Sequence, residues 1–310
     1  MKNICFSIHF QCVLNISNKI YIMPLSSYLK IMRPNVCGLT VFALVVGGIV
    51  SGQIPATQIL IGSGISWQPI IVVFAAVAAF LICGAGNTIN DYFDYAIDAV
   101  NASHRPIPSG KISRQHALWF YIGLGAVGLV LSWFVSIWFF VIALFNFFVL
   151  SMYGWKLKRA FILKNLAVAW LGASSFLAGG MMTGLSFGVL LVSMVAISFL
   201  GTWSREIFKD VEDIGGDAKE RVKTLATVLG AFRSSVVGYV LLMIALGSLF
   251  APYFLLSMAV YSQIAYSIFA LIVAGICIST FFAKDARSTQ TRIKIAMYTV
   301  TLMFFVVAMV

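Results

Sequence analysis

Long apolar runs are the feature of this sequence that most restricts its fold. Nine such runs, each of roughly 18–22 residues, begin near residues 36, 70, 116, 136, 163, 186, 232, 262 and 293. A helix needs about 20 apolar residues to cross a bilayer, so each run is long enough for one span. Hydrophobic residues make up 61% of the chain and charged residues 10%, a composition far from that of soluble proteins.

The predicted fold is therefore all-α, an integral membrane bundle of nine transmembrane helices. Backbone N–H and C=O groups in hydrocarbon must be hydrogen-bonded within the protein, and a helix satisfies them within one segment. Nine spans in a chain of 310 residues leave only short connections, so we expect a single compact bundle.

Charged residues alternate from one connection to the next. They occur in the N-terminal segment and after the second, fourth, sixth and eighth runs, whereas 51–68, 131–138, 179–188 and 251–263 contain no Lys, Arg, Asp or Glu. The positive-inside rule then places the charged side, the N-terminus and the active site in the cytoplasm, and the C-terminus outside the cell membrane. The net charge of +11 follows from this topology, so it does not indicate nucleic acid binding.

The first 22 residues fit this pattern poorly. The segment 1–22 is apolar but interrupted by polar residues, and it lacks a small-residue cleavage site. We therefore expect an N-terminal extension over 1–22, natural translation starting at Met23, and one domain over 23–310. Residues 25–34 are expected to form a short interfacial helix that brings Arg33 to the membrane surface.

Acidic residues are concentrated in two short segments. Nine of the ten acidic residues lie at 91–98 and 206–220. Each segment contains three aspartates with D-x2-D-x3-D spacing, and these are Asp91, Asp94 and Asp98 in the first cluster and Asp210, Asp213 and Asp217 in the second cluster. Offsets of three and seven residues share one face of a helix. The sequence thus predicts two similar carboxylate faces, at the ends of the second and sixth spans.

Two such faces indicate a divalent cation. Carboxylates about 5–6 Å apart repel by about 3 kcal/mol per pair at an effective dielectric of 20, so enclosed clusters require counter-ions. Cysteine and histidine do not occur at metal-ligand spacing in this sequence. Oxygen ligands favour Mg²⁺, Mn²⁺ or Ca²⁺, and Mg²⁺ commonly links a few carboxylates to substrate phosphates. The clusters therefore fit a diphosphate held through Mg²⁺, with a solvated charged loop as the plain alternative.

Basic residues lie next to the clusters. The turn-rich stretch 104–110, which reads HRPIPSG, places Arg105 where it can reach phosphate oxygens. The fourth span ends on the same side with Lys156, Lys158 and Arg159. These three side chains are candidates for phosphate contacts, and an ordinary role as positive-inside anchors stays open.

These motifs resemble those of the UbiA superfamily of intramembrane prenyltransferases. The first family signature, N-D-x2-D-x3-D followed by R-P-x-P-S-G, is matched at 90–98 and 105–110. The second cluster resembles the second aspartate motif of the family, and Tyr153 with Lys158 resembles its tyrosine–lysine motif. The resemblance runs from about Leu25 to the C-terminus, and it implies an enzyme that transfers prenyl groups.

Within the superfamily, the segments 86–94 and 204–219 are most similar to the archaeal digeranylgeranylglyceryl phosphate synthases. This similarity implies Mg²⁺-dependent transfer of a geranylgeranyl group from geranylgeranyl diphosphate to geranylgeranylglyceryl phosphate, for archaeal ether-lipid synthesis. The sequence departs from related members at Lys164, which stands directly before Asn165 where a glycine is expected. That departure leaves the role of Asn165 open.

The resemblance also implies roles for individual residues. Its two metal-binding sets are Asn90, Asp94 and Asp98 for one Mg²⁺ and Asp210, Asp213 and Asp217 for another. The expected catalytic residues are Arg105, Tyr153 and Lys158, together with Asp91, which we expect to be the base because it is the acid least needed for metal. The expected substrate-binding residues are Arg33, Asn87, Arg105, Lys156, Lys158, Arg159, Asn165 and Arg205. Candidates for cation–π contacts with an allylic cation are Tyr92, Phe93, Tyr95 and Tyr153.

Two other functions stay open. A UbiA-type enzyme with an aromatic or tetrapyrrole acceptor, for quinone or chlorophyll synthesis, would use the same aspartates up to ionisation of the donor. A membrane transporter could also carry carboxylates in a helical bundle, although transporters commonly centre their sites at the bilayer midplane. The expected partners are an isoprenoid diphosphate, a lipid-like acceptor and membrane lipids, with neither nucleic acid nor a protein partner.

Overall fold

The computed structural model of the protein describes residues 25–52, 68–185, 187–219, 222–256 and 259–309. Among these residues every regular element is a helix, which confirms the predicted all-α class. The expectations for residues 1–22 and for a start at Met23 fall outside this part of the chain.

The helices follow one another with short connections. In chain order they are α1 (Leu25–Met32), α2 (Pro34–Val50), α3 (Gln68–Phe93), α4 (Tyr95–Asn101), α5 (Arg114–Val135), α6 (Ile137–Trp155), α7 (Leu163–Gly180), α8 (Val189–Glu212), α9 (Ile214–Lys219), α10 (Leu225–Leu229), α11 (Ala231–Leu255), α12 (Val260–Thr280) and α13 (Ala286–Met309). A short 3₁₀ turn, Leu157–Arg159, follows α6.

The long helices confirm a multi-pass membrane protein. Over the described ranges, seven helices are long and apolar enough to cross a bilayer, and the bent pair α1–α2 would make an eighth. At the position of the fifth predicted span lies α7, which is more polar because it contains Lys164, Asn165, Ser174 and Ser175. Ten of its 18 residues are buried, so α7 faces other helices more than lipid. The number of nine spans stays a prediction.

A sharp corner at Arg33 separates α1 from α2. The axes of the two helices differ by 51°, and Arg33 has a φ angle of 54°, in the left-handed region. The residue before a proline is disfavoured in the right-handed helical region, and Pro34 begins the next helix, where its missing N–H has no cost. The predicted short helix is therefore present as α1, and its last turn leads directly to Arg33.

The helices α2 and α7 cross in backbone contact inside the bundle. A Cβ atom added at Gly179 would lie 2.0 Å from the carbonyl oxygen of Leu44, and one added at Gly47 would lie 2.1 Å from that of Phe176. Both helices contribute to two apolar cores, one shared with α3, α5 and α6 and the other with α8, α11, α12 and α13. This crossing fixes the C-terminal parts of α2 and α7 relative to each other.

Replacing Gly179 with Ala tests this crossing. The added methyl group would overlap backbone atoms of α2, so we expect the free energy of unfolding to fall by about 1–3 kcal/mol, seen as a lower Tm of the detergent-solubilised protein. Gly123→Ala on α5 is the control, because a Cβ atom there meets nothing within 4 Å. Equal melting temperatures for the two variants would contradict the backbone contact.

Candidate active site

Both aspartate clusters lie where a long helix ends and a short helix begins. Asp94 stands at the junction of α3 and α4, and Asp213 at the junction of α8 and α9. The N–H of Asp98 donates to the carbonyl of Asp94 at 2.8 Å, and that of Asp217 to the carbonyl of Asp213 at 3.0 Å. Each predicted carboxylate face is thus interrupted at its middle aspartate. Like charges one turn apart disfavour a continuous helix, which is consistent with a break at this point.

A polar cavity of about 410 Å³ opens beside the first cluster. Its wall contains eight residues that the sequence predicts for substrate, metal or catalysis, namely Arg33, Asn87, Asn90, Asp94, Asp98, Arg105, Tyr153 and Lys158. Lys209, which directly precedes Asp210 of the second cluster, also lines this cavity. The structure therefore brings residues of five predicted motifs or segments to one mouth of the bundle.

Asp94 is held by two neighbours in this wall. Lys158 Nζ lies 2.5 Å from Asp94 Oδ2, and Asn90 Nδ2 donates to the same oxygen at 3.0 Å. The Lys158 side chain is 42% exposed, so its ammonium group reaches the carboxylate from the solvent-accessible side. Two motifs from different helices, the first aspartate motif and the tyrosine–lysine motif, thus meet at one carboxylate.

Asp91 lies beneath this wall and is held by two arginines. Arg33 Nη2 lies 2.5 Å from Asp91 Oδ1, and Arg105 Nη1 lies 3.5 Å from the same atom. Arg105 also contacts Asp98 Oδ2 at 2.5 Å. The Asp91 side chain is 3% exposed, and both of its arginine partners line the polar cavity. Asp91 therefore joins the corner before α2 to the 104–110 turn.

The second cluster has its own basic and amide partners, which come from the start of α7. Lys164 Nζ lies 2.5 Å from Asp210 Oδ1, and Asn165 Nδ2 donates to Asp210 Oδ2 at 2.9 Å. One turn earlier on α8, the buried Glu206 forms an ion pair with Arg205. Both oxygens of the buried Asp210 are thus engaged by side chains of this chain.

Two buried oxygen atoms near this cluster lack a hydrogen-bond partner. They are Asn165 Oδ1 and Asp217 Oδ2, and an unsatisfied buried polar atom costs about 1–3 kcal/mol. Within the described ranges, no three His, Cys, Asp or Glu side chains converge on one point. Mg²⁺ usually takes only one or two carboxylates and completes its shell with water and phosphate oxygens. The oxygen donors present here therefore fit Mg²⁺ shared with a diphosphate.

Burial raises the pKa of Asp217 above its usual value. The ammonium group of Lys164 opposes this rise, while Asp210 and Asp213 add to it through like-charge repulsion. Asp217 therefore takes up a proton at a higher pH than an ordinary aspartate. Binding of a cation to this carboxylate weakens as the pH falls toward that raised pKa.

The aromatic side chain of Tyr153 lies near residues of both clusters. It lines the polar cavity and lies within electrostatic range of Asp94 from the first cluster and of Glu206 and Asp210 beside the second. Two of the other aromatic candidates contact a cation of the protein itself. The guanidinium of Arg114 lies 4.6 Å from the ring centre of Tyr92 and 5.4 Å from that of Tyr95. Phe93 forms an edge contact with Tyr92.

Some predicted residues lie away from the polar cavity, and some important contacts were missed. Lys156 is exposed, with its Nζ 4.1 Å from the ring centre of Trp155, and Asp213 is exposed as well. The side chain of Arg159 lies outside what the structure describes. The ion pair of Lys164 and the cavity position of Lys209 were not predicted, although the departure from the family pattern at Lys164 was a signal.

Apolar space adjoins the polar cavity. A cavity of about 90 Å³ lies among α2, α3, α6 and α7, and a groove of about 370 Å³ lies among α2, α7, α8 and α13. Leu171 of α7 lines both of them and the polar cavity. The site therefore combines a charged mouth with apolar space inside the bundle, as an amphiphilic substrate requires.

Known proteins share these features. A model described as the UbiA prenyltransferase family matches residues 36–307. The digeranylgeranylglyceryl phosphate synthase of Thermococcus kodakarensis is 33% identical over 93% of this chain and 100% of its own length. That of Methanococcoides burtonii is 39% identical over 69% of this chain and 75% of its own.

Solved structures agree with this similarity. One described as a study of digeranylgeranylglyceryl phosphate synthase in membranes has a TM-score of 0.78 and 30% identity, with 92% of this chain and 98% of that chain covered. A UbiA homolog from Archaeoglobus fulgidus bound to GPP and Mg²⁺ has a TM-score of 0.66 at 20% identity, covering 92% and 100% of the two chains. The second similarity concerns the fold alone.

Replacing Arg33 with Met tests the role of the corner before α2. The change leaves the buried Asp91 with only its more distant arginine, so we expect the free energy of unfolding to fall by about 1–3 kcal/mol. Arg33 is 36% exposed, and solvent screening keeps the effect below that of a fully buried pair. Thermal unfolding of the detergent-solubilised protein measures this loss of stability. Lys30→Met, at an exposed position of α1, is the control, and an equal Tm for both variants would contradict this role.

Proposed function

The chain belongs to the UbiA prenyltransferase family, and from this premise we propose that it transfers a geranylgeranyl group from geranylgeranyl diphosphate to geranylgeranylglyceryl phosphate. The product would be digeranylgeranylglyceryl phosphate, a precursor of archaeal ether lipids. The observation that carries the choice of acceptor is the similarity over nearly the whole chain to synthases with this name. The cavity, with its charged mouth and adjoining apolar space, suits a substrate with a diphosphate head and a long apolar chain.

We propose Mg²⁺ as the cofactor. The oxygen donors of the two clusters fit it, and a fold relative binds GPP together with Mg²⁺. The first set would be Asn90, Asp94 and Asp98, and the second Asp210, Asp213 and Asp217. When bound, Mg²⁺ supplies charge neutralisation that makes diphosphate a better leaving group.

The basic residues of the wall would stabilise the negative charge that develops on the diphosphate. The bond between C1 of the prenyl chain and the diphosphate oxygen breaks, and the electron pair leaves with the diphosphate. Lys158 and Arg105, each 2.5 Å from a carboxylate of the first cluster, would bind phosphate oxygens. The ring of Tyr153 would face the allylic cation, while the apolar space excludes water from it.

The glycerol hydroxyl of the acceptor would then attack C1, forming an ether bond and losing its proton. Asp91 is the base expected from the sequence. Because its oxygen is held by Arg33 and Arg105, we propose instead that Asp91 orients these guanidinium groups. The departing diphosphate, a basic polyanion next to the reacting carbon, would accept the proton.

The phosphate of the acceptor needs cations of its own. We propose Arg33 as such a cation and the Asn87 amide as a neutral hydrogen-bond donor to the same phosphate, since both line the polar cavity. Lys156 and Arg159 would contribute at its rim, and Asn165 and Arg205 would support the second cluster. The excess of basic residues at this end of the bundle supports a cytoplasmic active site.

Neutralising one aspartate in each cluster tests the metal assignment. We expect Asp94→Asn and Asp213→Asn each to lower geranylgeranyl transfer at least about a hundredfold, because each removes a charge that would hold Mg²⁺ and the leaving group. Mass spectrometry of the lipid product measures the rate. Asp285→Asn, at an exposed position outside both clusters, should retain wild-type activity. Near-normal transfer by either cluster variant would contradict the metal assignment.

The acceptor requires a separate test. Purified protein given geranylgeranyl diphosphate, Mg²⁺ and an equimolar mixture of geranylgeranylglyceryl phosphate and 4-hydroxybenzoate should yield the mass of digeranylgeranylglyceryl phosphate. A prenylated hydroxybenzoate as the main product would favour the quinone-type alternative. Release of diphosphate without either product would support the proposed prenyl donor and contradict the proposed acceptor.

A further inference from the structure

Lys164 occupies a position next to the second cluster that the proposed reaction has not yet used. Its Nζ lies 2.5 Å from Asp210 Oδ1, and the two side chains are 18% and 4% exposed. Asn165 binds the other oxygen of Asp210 at 2.9 Å. The most buried carboxylate of this cluster is thus already neutralised by the chain itself, at an oxygen that a divalent ion would use.

The two clusters differ in this respect. At the first cluster, Lys158 and Asn90 both contact Oδ2 of Asp94, and the Lys158 side chain is 42% exposed. At the second cluster, Lys164 and Asn165 contact different oxygens of Asp210, and Lys164 is more buried. Asp98 of the first cluster is also paired, but its partner Arg105 is 32% exposed. A divalent ion therefore encounters a more enclosed positive charge at the second cluster than at the first.

We propose that Lys164 is a counter-ion of Asp210 that prevents the second cluster from taking up a divalent ion until a diphosphate is bound. The inference rests on the proposed function and adds a binding order to it. A diphosphate brings negative charge that can pair with the ammonium group, which frees Asp210 Oδ1 for the ion. Asn165 Oδ1 and Asp217 Oδ2, both buried without partners, are further oxygens available to that ion or its water.

Lys164 is a positioning residue in this account, since it acts through Asp210. Mn²⁺ serves as the probe, with free Mn²⁺ measured by electron paramagnetic resonance in detergent-solubilised full-length protein. We expect the wild type to bind one Mn²⁺ alone, and two in the presence of the unreactive analogue geranylgeranyl thiolodiphosphate. Lys164→Met should bind two without the analogue, with the affinity for the second ion raised at least about tenfold because a nearby positive charge is removed.

Matched variants separate charge from structure. Lys164→Arg keeps the charge and should bind Mn²⁺ as the wild type does. Lys284→Met removes an exposed lysine elsewhere and should also match the wild type. Lys164→Gly is a second charge-free variant that decides the question if Lys164→Met does not fold.

Each outcome is decisive. Unchanged or weaker binding of the second ion in the charge-free variants would overturn the counter-ion role and leave the proposed function intact. Binding of two ions by the wild type with equal affinity in the absence of the analogue would have the same consequence. Failure of the wild type to bind Mn²⁺ even with the analogue would overturn the metal-dependent function together with this role.

Discussion

Neutralisation of buried carboxylates at the mouth of the bundle is the constraint on which the rest of the structure depends. Asp91, Asp94, Asp98 and Asp210 are all buried, and an unpaired charge in such a place is strongly destabilising. Each carboxylate has a cation from another part of the chain: the corner before α2, the 104–110 turn, the turn after α6 or the start of α7. The same cations hold the helix ends together and stand where an anionic substrate would bind.

Pairing of this kind also explains how one mouth can receive a polyanion. The cations would exchange carboxylates for phosphate oxygens, while divalent ions would take over the carboxylates. Apolar space beyond Leu171 supplies the second half of the requirement, since a prenyl chain must be kept from water while its cation exists.

Much of this was predictable from the sequence, and the limits have physical causes. Apolar run length predicted the membrane helices because crossing the hydrocarbon core needs about 20 apolar residues. The orientation that the charge alternation indicates stays a prediction. The spacing of Asp91, Asp94 and Asp98 predicted a shared face, but not the helix break at Asp94, because a spacing rule assumes a continuous helix. Contacts such as Lys164 with Asp210 join residues 46 positions apart, and no local pattern encodes them. The number of spans was harder to predict at α7, because ten of its 18 residues are buried and polar residues are tolerated there.

One measurement tests the central claim most directly. Anomalous scattering from a crystal grown with Mn²⁺ and geranylgeranyl thiolodiphosphate would locate the ions and the diphosphate together. The account predicts two manganese peaks, one at Asp94 and Asp98 and one at Asp210 and Asp217, with the diphosphate between them and Lys158 on its oxygens. Peaks at one cluster only, or a diphosphate bound away from both clusters, would contradict it.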